Sequence, residues 1–436
     1  MSANIEEEVQ ALERRAENLR NLLKYAPRPF VLEFAGTPKS GKTTTIEAIR
    51  HFLARNGYRV HVLTERAAIC PVPMKGHLFF NMWCAASMLA ELIANIDEDT
   101  DIIIVDRGFF DALVWLTLQE RRGELTNDEA RIIERFLLLD RWCRLIDLSI
   151  VMVVGPDEAL ARENRQRITQ KGGSIMNREV LAAITESVAK AHERYRAHFN
   201  AIFEHETSRQ DVRASSTALA GEILNSFEHF VNPPVLVVAR QEIERMVSSG
   251  DGFRENGFSR ALECIRANGK FVSRAEAEER QDLVQIVSAG VLVQDGRVFL
   301  FQRKESDPKY RLYGKTTIWQ GSHVQDRAGL DIAEVLRFAL QDRLSRALFL
   351  SRVFQTKELG YCWDQDDPKS SRHLGIMYRM IIDNPNTAAD LRKKEFKRKR
   401  GHGLAGDFIA WEDLRKKADE INLESWSRTV LASGVK

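Results

Sequence analysis

Residues 32–44 read LEFAGTPKSGKTT, and this stretch decides the fold of the first half of the chain. The pattern Gly-x-x-x-x-Gly-Lys-Thr begins at Gly36, directly after the apolar run Phe30–Phe34. A strand that leads through such a loop into a helix can wrap backbone N–H groups around a phosphate at the positive end of the helix. The pattern predicts that Lys42 reaches the β- and γ-phosphates of a nucleotide and that the Thr43 hydroxyl helps to hold Mg²⁺. The predicted nucleotide contacts of this loop are Gly36, Lys39, Ser40, Gly41, Lys42, Thr43 and Thr44.

The composition is that of a globular chain with more than one domain. The 436 residues suffice for two or three domains of ordinary size, and 44% of them are hydrophobic and 29% charged. The net charge of +2 gives no reason to propose a nucleic-acid or membrane partner, and no window approaches 18 uninterrupted apolar residues. The opening MSANIEEEVQALERR is too acidic for a signal peptide. Five scattered cysteines without a Cys-x-x-Cys pair indicate a reducing cytoplasm.

Short apolar strands alternate with longer helical patterns from about residue 30 to residue 230. This alternation predicts an α/β fold, a doubly wound parallel sheet with helices on both faces. Asn232-Pro233-Pro234 then breaks the pattern and marks a junction. The predicted strands are Phe30–Phe34, Arg59–Leu63, Ile102–Val105, Leu148–Val154 and Asp211–Ala214.

The second half has the pattern of an α+β domain. Asp295-Gly296 lies between two strand patterns and predicts a hairpin. A long helix at about Asp331–Phe349 and a strand at Leu374–Ile382 follow. The predicted division is an N-terminal amphipathic helix at 1–28, an α/β domain at 29–230 and an α+β domain at 233–436. The apolar stripe of the N-terminal helix either packs on its own domain or forms a contact in a homodimer.

Three further features of the first domain indicate phosphoryl transfer to a small molecule. Glu65 follows the second strand, where a carboxylate can accept the proton of an attacking hydroxyl. The third strand ends in Asp106-Arg107, which offers a magnesium-side carboxylate and a cation for phosphate or substrate. The segment after the fourth strand carries arginines that can neutralise charge on the transferring group, namely Arg162, Arg165 and Arg167.

On these residues the stretch from about Pro29 to Phe199 resembles the deoxynucleoside kinase and thymidylate kinase group of P-loop kinases. The matching pieces are the phosphate loop, Glu65, the segment DRGFFDALVW that begins at Asp106, and the Arg-x-x-Arg-x-Arg lid. The resemblance implies ATP and Mg²⁺ as cofactors and a nucleoside or nucleotide as the acceptor. It implies catalytic roles for Lys42, Glu65, Asp106, Arg107, Arg162, Arg165 and Arg167, with Thr43 and Asp106 at the metal and Phe79, Asn81 and Trp83 in the nucleoside pocket.

Several alternatives remain open for these residues. The chain has Glu65-Arg66 where the family has Glu-Pro, and Glu65 can also be a solvated strand end. Phe79 and Trp83, four positions apart, can be core residues of a helix. The lid arginines can belong to an exposed helix face. For the whole protein, the alternative is a nucleotide sensor that binds ATP without kinase turnover.

The second domain resembles the Nudix (MutT-like) proteins, in particular a branch of predicted phosphoesterases. The similar segments are VSAGVLVQDGRVFLFQRK, LYGKTTIWQGSHVQD, ALQDRLSRAL, HLGIMYRMII and GDFIAWEDL. An active Nudix helix carries Arg-Glu-x-x-Glu-Glu, so that carboxylates one turn apart bind Mg²⁺. The corresponding helix here reads Gln341-Asp342-Arg343-Leu344-Ser345-Arg346. The loss of carboxylates predicts a domain without hydrolase activity, which binds a second nucleotide through its arginines or serves as a scaffold.

The run RKKEFKRKR at 392–400 contains seven basic residues. It follows Asn384-Pro385-Asn386 and therefore predicts an exposed loop or short helix. It is either a solvated charge run or a patch for phosphate or nucleic acid.

Overall fold

A computed structural model gives the structure of the chain. The described residues are 2–26, 28–96, 100–166, 175–208, 211–247, 252–304, 314–327, 329–348, 355–367, 370–382, 396–397 and 403–434. The chain divides into two compact units, Met1–Val231 and Asn232–Lys436. The first unit holds the phosphate loop, and the second holds the region that resembles Nudix proteins.

The first unit contains a five-stranded parallel sheet. Its strands run in the order β2-β3-β1-β4-β5, so the strand that leads into the phosphate loop is central. The strands are β1 (Phe30–Gly36), β2 (Val60–Leu63), β3 (Ile102–Asp106), β4 (Leu148–Val153) and β5 (Ile202–Glu206).

Helices cover both faces of this sheet, which confirms the predicted doubly wound α/β fold. The helices are α1 (Ser2–Arg20), α2 (Lys42–Arg55), α3 (Leu78–Asn95), α4 (Phe109–Arg121), α5 (Asn127–Leu137), α6 (Asp140–Cys143), α7 (Pro156–Gln166), α8 (Arg178–Tyr195) and α9 (Val212–Val231). Because side chains alternate along a strand, Val31 and Ala35 join the core under α3, α4 and α8. Phe30, Leu32 and Phe34 join the opposite core, under α1, α2 and α9.

The prediction of a fifth strand at Asp211–Ala214 is wrong. The fifth strand is Ile202–Glu206, and α9 begins at Val212. The Asp211 Oδ1 accepts a hydrogen bond of 2.8 Å from the Ala214 N–H, which is the contact of a helix N-cap. The segment that was predicted to be a strand is therefore the N-cap and first turn of α9.

The N-terminal helix packs within the first unit. Ala16 and Leu19 of α1 are buried in the core that α9 also enters. The Tyr58 hydroxyl donates to the Ala16 carbonyl oxygen at 2.6 Å, and the Arg15 Nη1 donates to the Asn225 Oδ1 at 2.6 Å. The buried part of the apolar stripe is thus used inside the unit.

One helix is apolar enough to be compared with a membrane span. α3 has 18 residues with a mean hydropathy of 1.3, and 22% of these residues are buried. Among the described residues, it alone has the length and composition of a membrane-crossing helix. A single helix of this kind does not establish a membrane span, since core helices of soluble proteins have the same properties. Here Ala85, Met88 and Leu92 of α3 pack in the core that it shares with α4.

The second unit is built on an eleven-stranded mixed sheet. Its strands are β6 (Pro234–Ala239), β7 (Gly252–Glu255), β8 (Lys270–Ser273), β9 (Leu283–Gln294), β10 (Arg297–Lys304), β11 (Thr316–Thr317), β12 (Trp319–His323), β13 (Gln355–Trp363), β14 (His373–Ile381), β15 (Phe396–Lys397) and β16 (Gly403–Ala410). The long strand β9 is central, parallel to β14 and antiparallel to β6, β10 and β12. This α+β architecture confirms the predicted class of the second domain.

The hairpin predicted at Asp295-Gly296 is confirmed. Gln294 of β9 pairs with Arg297 of β10, and both turn residues have positive φ angles, 47° at Asp295 and 71° at Gly296. Two positive φ angles are the requirement of a type I′ turn, which explains the local sequence.

Helices pack on this sheet. They are α10 (Arg240–Val247), α11 (Phe258–Asn268), α12 (Arg274–Glu279), α13 (Ile332–Leu348), α14 (Trp411–Lys416) and α15 (Ser425–Ala432). The predicted long helix is α13, whose Leu336, Leu340 and Leu344 are buried against Ile286 and Leu292 of β9. Of the basic run at 392–400, only Phe396–Lys397 lies within the described residues, as β15 paired with β16.

Candidate functional site

The phosphate loop connects β1 to α2 and has a backbone that its glycines permit. Gly36 has a φ of +118°, and a Cβ there would lie 2.1 Å from the Met152 carbonyl oxygen of β4. Gly41 precedes the first residue of α2 with a φ of +94°. Only glycine adopts such angles without strain, so the loop can present backbone N–H groups at the start of α2.

Lys42 is buried within this loop. Its Nζ donates to the carbonyl oxygens of Gly36 at 3.1 Å and Thr37 at 2.6 Å, and to the Ser40 Oγ at 3.2 Å. Burial lowers the pKa of Lys42 to about 7, and the Arg107 guanidinium contributes in the same direction. A buried ammonium group with this environment is stabilised when an anion approaches it, which fits a phosphate in the loop.

The carboxyl edge of the sheet brings three predicted residues together. Asp106 ends β3, and Glu65 follows β2, the neighbouring strand. The Arg107 Nε lies 2.8 Å from the Glu65 Oε1 in an ion pair. Burial raises the pKa of the Asp106 carboxyl to about 6, although Arg107 and Lys42 oppose this. A buried carboxylate beside the loop is a group that a divalent cation would stabilise.

Two further acidic residues position this edge, and sequence reasoning missed both. Asp111, in the first turn of α4, accepts from the Gly36 N–H at 3.3 Å and from the Arg107 Nη1 at 2.9 Å. Glu33, fully buried in β1, accepts from the N–H groups of Gly108, Phe110 and Asp111 at 2.9–3.2 Å. The available signals were a charged residue inside the apolar strand FVLEFAG and an acidic residue just after a helix start.

The close approach of the Glu33 carboxyl also explains why position 108 is a glycine. A Cβ at Gly108 would lie 2.9 Å from the Glu33 Cδ, which is closer than real Cβ contacts. Arg107, the residue before it, has a positive φ of 64°, an uncommon conformation for a residue with a side chain. Strained backbone of this kind costs roughly 1–3 kcal/mol and is typical of functional sites. The bonds to Glu33 and Asp111 hold this segment in place.

A cavity of about 690 Å³, open solvent included, lies beside the phosphate loop. Its polar wall includes Glu65, Arg107 and Asp111, and its apolar wall includes Phe80 and Trp115. The remaining lining residues are Arg66, Ala67, Lys75, Asn81, Cys84, Ala85, Gly108, Ala112 and Ile175.

The predicted pocket residues are only partly in this cavity. Asn81 lines it, and its Nδ2 donates to the Ala112 carbonyl oxygen at 3.1 Å. Phe79 does not line the cavity and is 68% exposed, because the rotation of α3 about its axis turns Phe80 toward the cavity instead. Trp83 is half-buried outside the lining, and Trp115 of α4 supplies the tryptophan of the cavity wall.

The predicted lid arginines have different positions. Arg162 of α7 donates to the Lys39 carbonyl oxygen at 3.1 Å, which places it at the phosphate loop, and to the Thr207 carbonyl oxygen at 2.7 Å. Arg165 pairs with Glu158 at 2.7 Å and is mostly exposed, as the alternative of a solvated helix face describes. Arg167 lies outside the described residues. The Lys39 Nζ also pairs with Glu163 of α7 at 2.7 Å.

The helix of the second unit that corresponds to the Nudix helix is α13. Gln341, Asp342 and Arg343 are half-buried on it, and the side chains of Ser345 and Arg346 lie outside the described residues. The charge of Arg343 acts on the nearby His323 of β12. Arg343 therefore faces the region of β12, where a cation opposes a magnesium cluster.

Comparisons with known proteins find similarity to a family profile and to a bacterial protein. The profile of the methylmalonyl-CoA mutase-associated GTPase MeaB matches residues 3–71, which include the phosphate loop. Protein YmaB of Bacillus subtilis (strain 168) is 23% identical over 203 residues, 45% of this chain and 95% of the relative.

Two solved structures are similar over part of the chain. Tm1382, assigned to the Nudix hydrolases, is 19% identical with a TM-score of 0.36 over 46% of this chain and 97% of its own. Deoxyadenosine kinase from M. mycoides with bound dCMP and dCDP is 15% identical with a TM-score of 0.36 over 45% of this chain and 100% of its own. The phosphate loop and the strand order of this chain themselves define a P-loop α/β domain, which is followed by a mixed-sheet α+β domain.

Proposed function

We propose that the unit Met1–Val231 transfers the γ-phosphoryl group of ATP to a nucleoside or nucleotide. The observation that carries this proposal is the cavity beside the phosphate loop. Arg107 and Asp111 line the cavity and also contact Gly36 of the loop, so an acceptor in the cavity would lie next to the nucleotide phosphates. A cavity next to the phosphate loop is what transfer to a second molecule requires.

The residues present fit ATP and Mg²⁺. Lys42 is a buried cation at the start of α2, and Asp106 is a buried carboxylate at the end of β3. The two lie close enough that the charge of each shifts the pKa of the other. Thr43, exposed on the first turn of α2, can add its hydroxyl to the metal side of the site. Bound Mg-ATP would supply the phosphoryl group and neutralise part of its charge.

Glu65 is the group placed to take a proton. Glu65 lines the cavity and its carboxylate is paired with Arg107, so it would face the hydroxyl of an acceptor bound there. As the hydroxyl oxygen bonds to the γ-phosphorus, its proton passes to the Glu65 carboxylate and the ADP oxygen leaves. Phe80 and Trp115 provide apolar and aromatic surface for a base, and Asn81 provides an amide at its edge.

Radiolabelled ATP with a panel of nucleosides and nucleoside monophosphates tests the proposal. We expect label transfer that depends on one class of acceptor, and a Glu65→Gln variant with kcat lowered by ~10²-fold or more, the usual scale for general-base catalysis. ATP affinity should change little in that variant. Glu47→Gln, an exposed glutamate on α2, is the matched control and should keep normal turnover. Turnover unaffected by Glu65→Gln would remove the assignment of the base.

A nucleotide-binding switch without an acceptor is the second candidate. The match to a GTPase profile over residues 3–71 favours it, as do the contacts of Lys39 with Glu163 and Arg162 of α7, which a bound nucleotide could rearrange. Competition between ATP and GTP, together with the acceptor panel, distinguishes the two. Hydrolysis or tight GTP binding with no label on any acceptor would favour the switch.

For the second unit we propose nucleotide binding without hydrolysis. Its support is the replacement of the Nudix carboxylates by Gln341 and Arg343 on α13. A cytoplasmic location is proposed as well. It is supported by five cysteines that are all free thiols, since an oxidising compartment would favour disulfides.

A further inference from the structure

The second unit brings two histidines and a glutamate together from three separate elements. One ligand atom each of Glu278, His323 and His373 lies within 4.8 Å of the other two. Glu278 belongs to α12, His323 ends β12 and His373 begins β14. None of the three comes from α13, so the cluster uses none of the residues that replace the Nudix carboxylates, although Arg343 of α13 lies near His323.

The sheet register explains how the two histidines converge. His323 of β12 pairs with Val287 of β9, and His373 of β14 pairs with Gln285 of the same strand. Residues two apart on a strand share a face, and paired residues on neighbouring strands share it too. Both imidazoles therefore rise from one face on either side of β9, and their ring centroids are 5.4 Å apart.

Two buried polar atoms at this place have no hydrogen-bond partner among the residues that the structure describes. They are the His323 Nε2 and the Oε1 of Gln285, whose side chain is fully buried. The Gln285 Nε2 donates to the carbonyl oxygen of Ala277, the residue before Glu278, so this side chain lies under the same helix. Unpaired buried polar atoms are rare in folded proteins and often mark an ion or water site.

We propose that Glu278, His323 and His373 bind one divalent transition metal ion, with Zn²⁺ as the best match. Two imidazoles and a carboxylate suit zinc, and three protein ligands leave a fourth position open. Zinc–nitrogen bonds of about 2.0–2.1 Å put tetrahedral ligand atoms about 3.3 Å apart, so side-chain rotation must close the present separation. The site would tie α12 to β12 and β14.

The surroundings set how strongly the metal binds. Besides His373, the side chains of Arg274 and Arg343 lie close enough for their charges to act on His323. The same arginine charges repel a dication, and the Glu278 carboxylate offsets only part of this. We therefore expect weaker binding than in a cysteine-rich structural zinc site.

Equilibrium dialysis of the untagged full chain against Zn²⁺, followed by elemental analysis, tests the proposal. Excess Mg²⁺ in the buffer serves to keep zinc out of the magnesium site proposed for the first unit. We expect one zinc ion per chain, and affinity lowered about tenfold or more by His323→Gln, His373→Gln and Glu278→Gln, since even outer-shell changes cost about 10–100-fold.

Two controls keep the result interpretable. His229→Gln replaces an exposed histidine of α9 and should bind zinc as the wild type does. Glu278→Gln changes charge with almost no change of shape, so a folded variant, verified by circular dichroism, tests the site where a histidine variant fails to fold. Absence of stoichiometric zinc in the wild type, or equal binding by all of the variants, would overturn the proposal.

Discussion

Glu33 offers the sharpest quantitative test of the structure of the first unit. It is fully buried, and burial raises the pKa of its carboxyl from 4.5 to about 7, although backbone N–H groups at the start of α4 oppose this. The folded state therefore holds a proton that the unfolded chain releases between about pH 4.5 and pH 7. Because the folded state binds more protons in that window, stability must fall as the pH rises through it.

The perturbation is Glu33→Gln, which keeps the shape and removes the charge. The amide oxygen can still accept from the start of α4, and the amide nitrogen can donate to the Ser149 Oγ, which lies 3.2 Å from the Glu33 Oε2. From pH 5 to pH 8, the linkage relation predicts that the free energy of unfolding of the wild type falls by about 2.5 kcal/mol because of Glu33. The variant has no carboxyl at this position and should not show this loss. This corresponds to about 70-fold in the equilibrium between closed and open forms.

Hydrogen exchange measured by mass spectrometry is the suitable assay, because peptides over 102–121 report on β3 and α4 alone. Wild type and variant are compared at the same pH, so that the intrinsic pH dependence of exchange cancels. We expect the difference in the free energy of opening between variant and wild type to be about 2.5 kcal/mol larger at pH 8 than at pH 5, with the variant better protected from exchange. Glu193→Gln, an exposed glutamate on α8, should show no such change. A difference between wild type and Glu33→Gln that is equal at both pH values would refute the reasoning.

Four further predictions concern the phosphate loop, its proposed metal and the second unit. Lys42→Ala and Asp106→Asn should each abolish Mg-ATP-dependent turnover with an unchanged circular dichroism spectrum, and nearly normal turnover in either would contradict the proposed kinase. Because the pKa of Asp106 is about 6, apparent Mg²⁺ affinity should be about tenfold weaker at pH 5 than at pH 7 in the wild type, a dependence that Asp106→Asn should lose. Gly36→Ala should abolish nucleotide binding in calorimetry, because its Cβ would lie 2.1 Å from the Met152 carbonyl oxygen, whereas Gly76→Ala, with open space around its Cβ, should bind normally. The full chain carrying Lys42→Ala should release no product from nucleoside triphosphates, dinucleoside polyphosphates or ADP-ribose with Mg²⁺ or Mn²⁺, and metal-dependent hydrolysis lost on Asp342→Asn would show that the second unit is an active Nudix hydrolase.

The sequence by itself determined the features that are encoded locally. The phosphate loop follows from glycines whose φ angles only that residue adopts easily, and the hairpin follows from Asp295-Gly296 in the same way. Strands buried on both faces, such as Ile102–Asp106, have continuous apolar sequences, and these predicted the parallel sheet. Such signals depend on a few neighbouring residues and on strand or helix periodicity, which can be read along the chain.

The tertiary structure alone decided which distant residues meet. Glu33 and Gly108 are 75 positions apart and come together only because β1 and β3 are neighbours in the sheet. The inward turn of Phe80 rather than Phe79 depends on the rotation of α3 against α4, which the packing of the core sets. The convergence of His323 and His373 likewise depends on the register of β12 and β14 against β9. Strand register and helix rotation are fixed by contacts between elements, and no local pattern in this sequence specifies them.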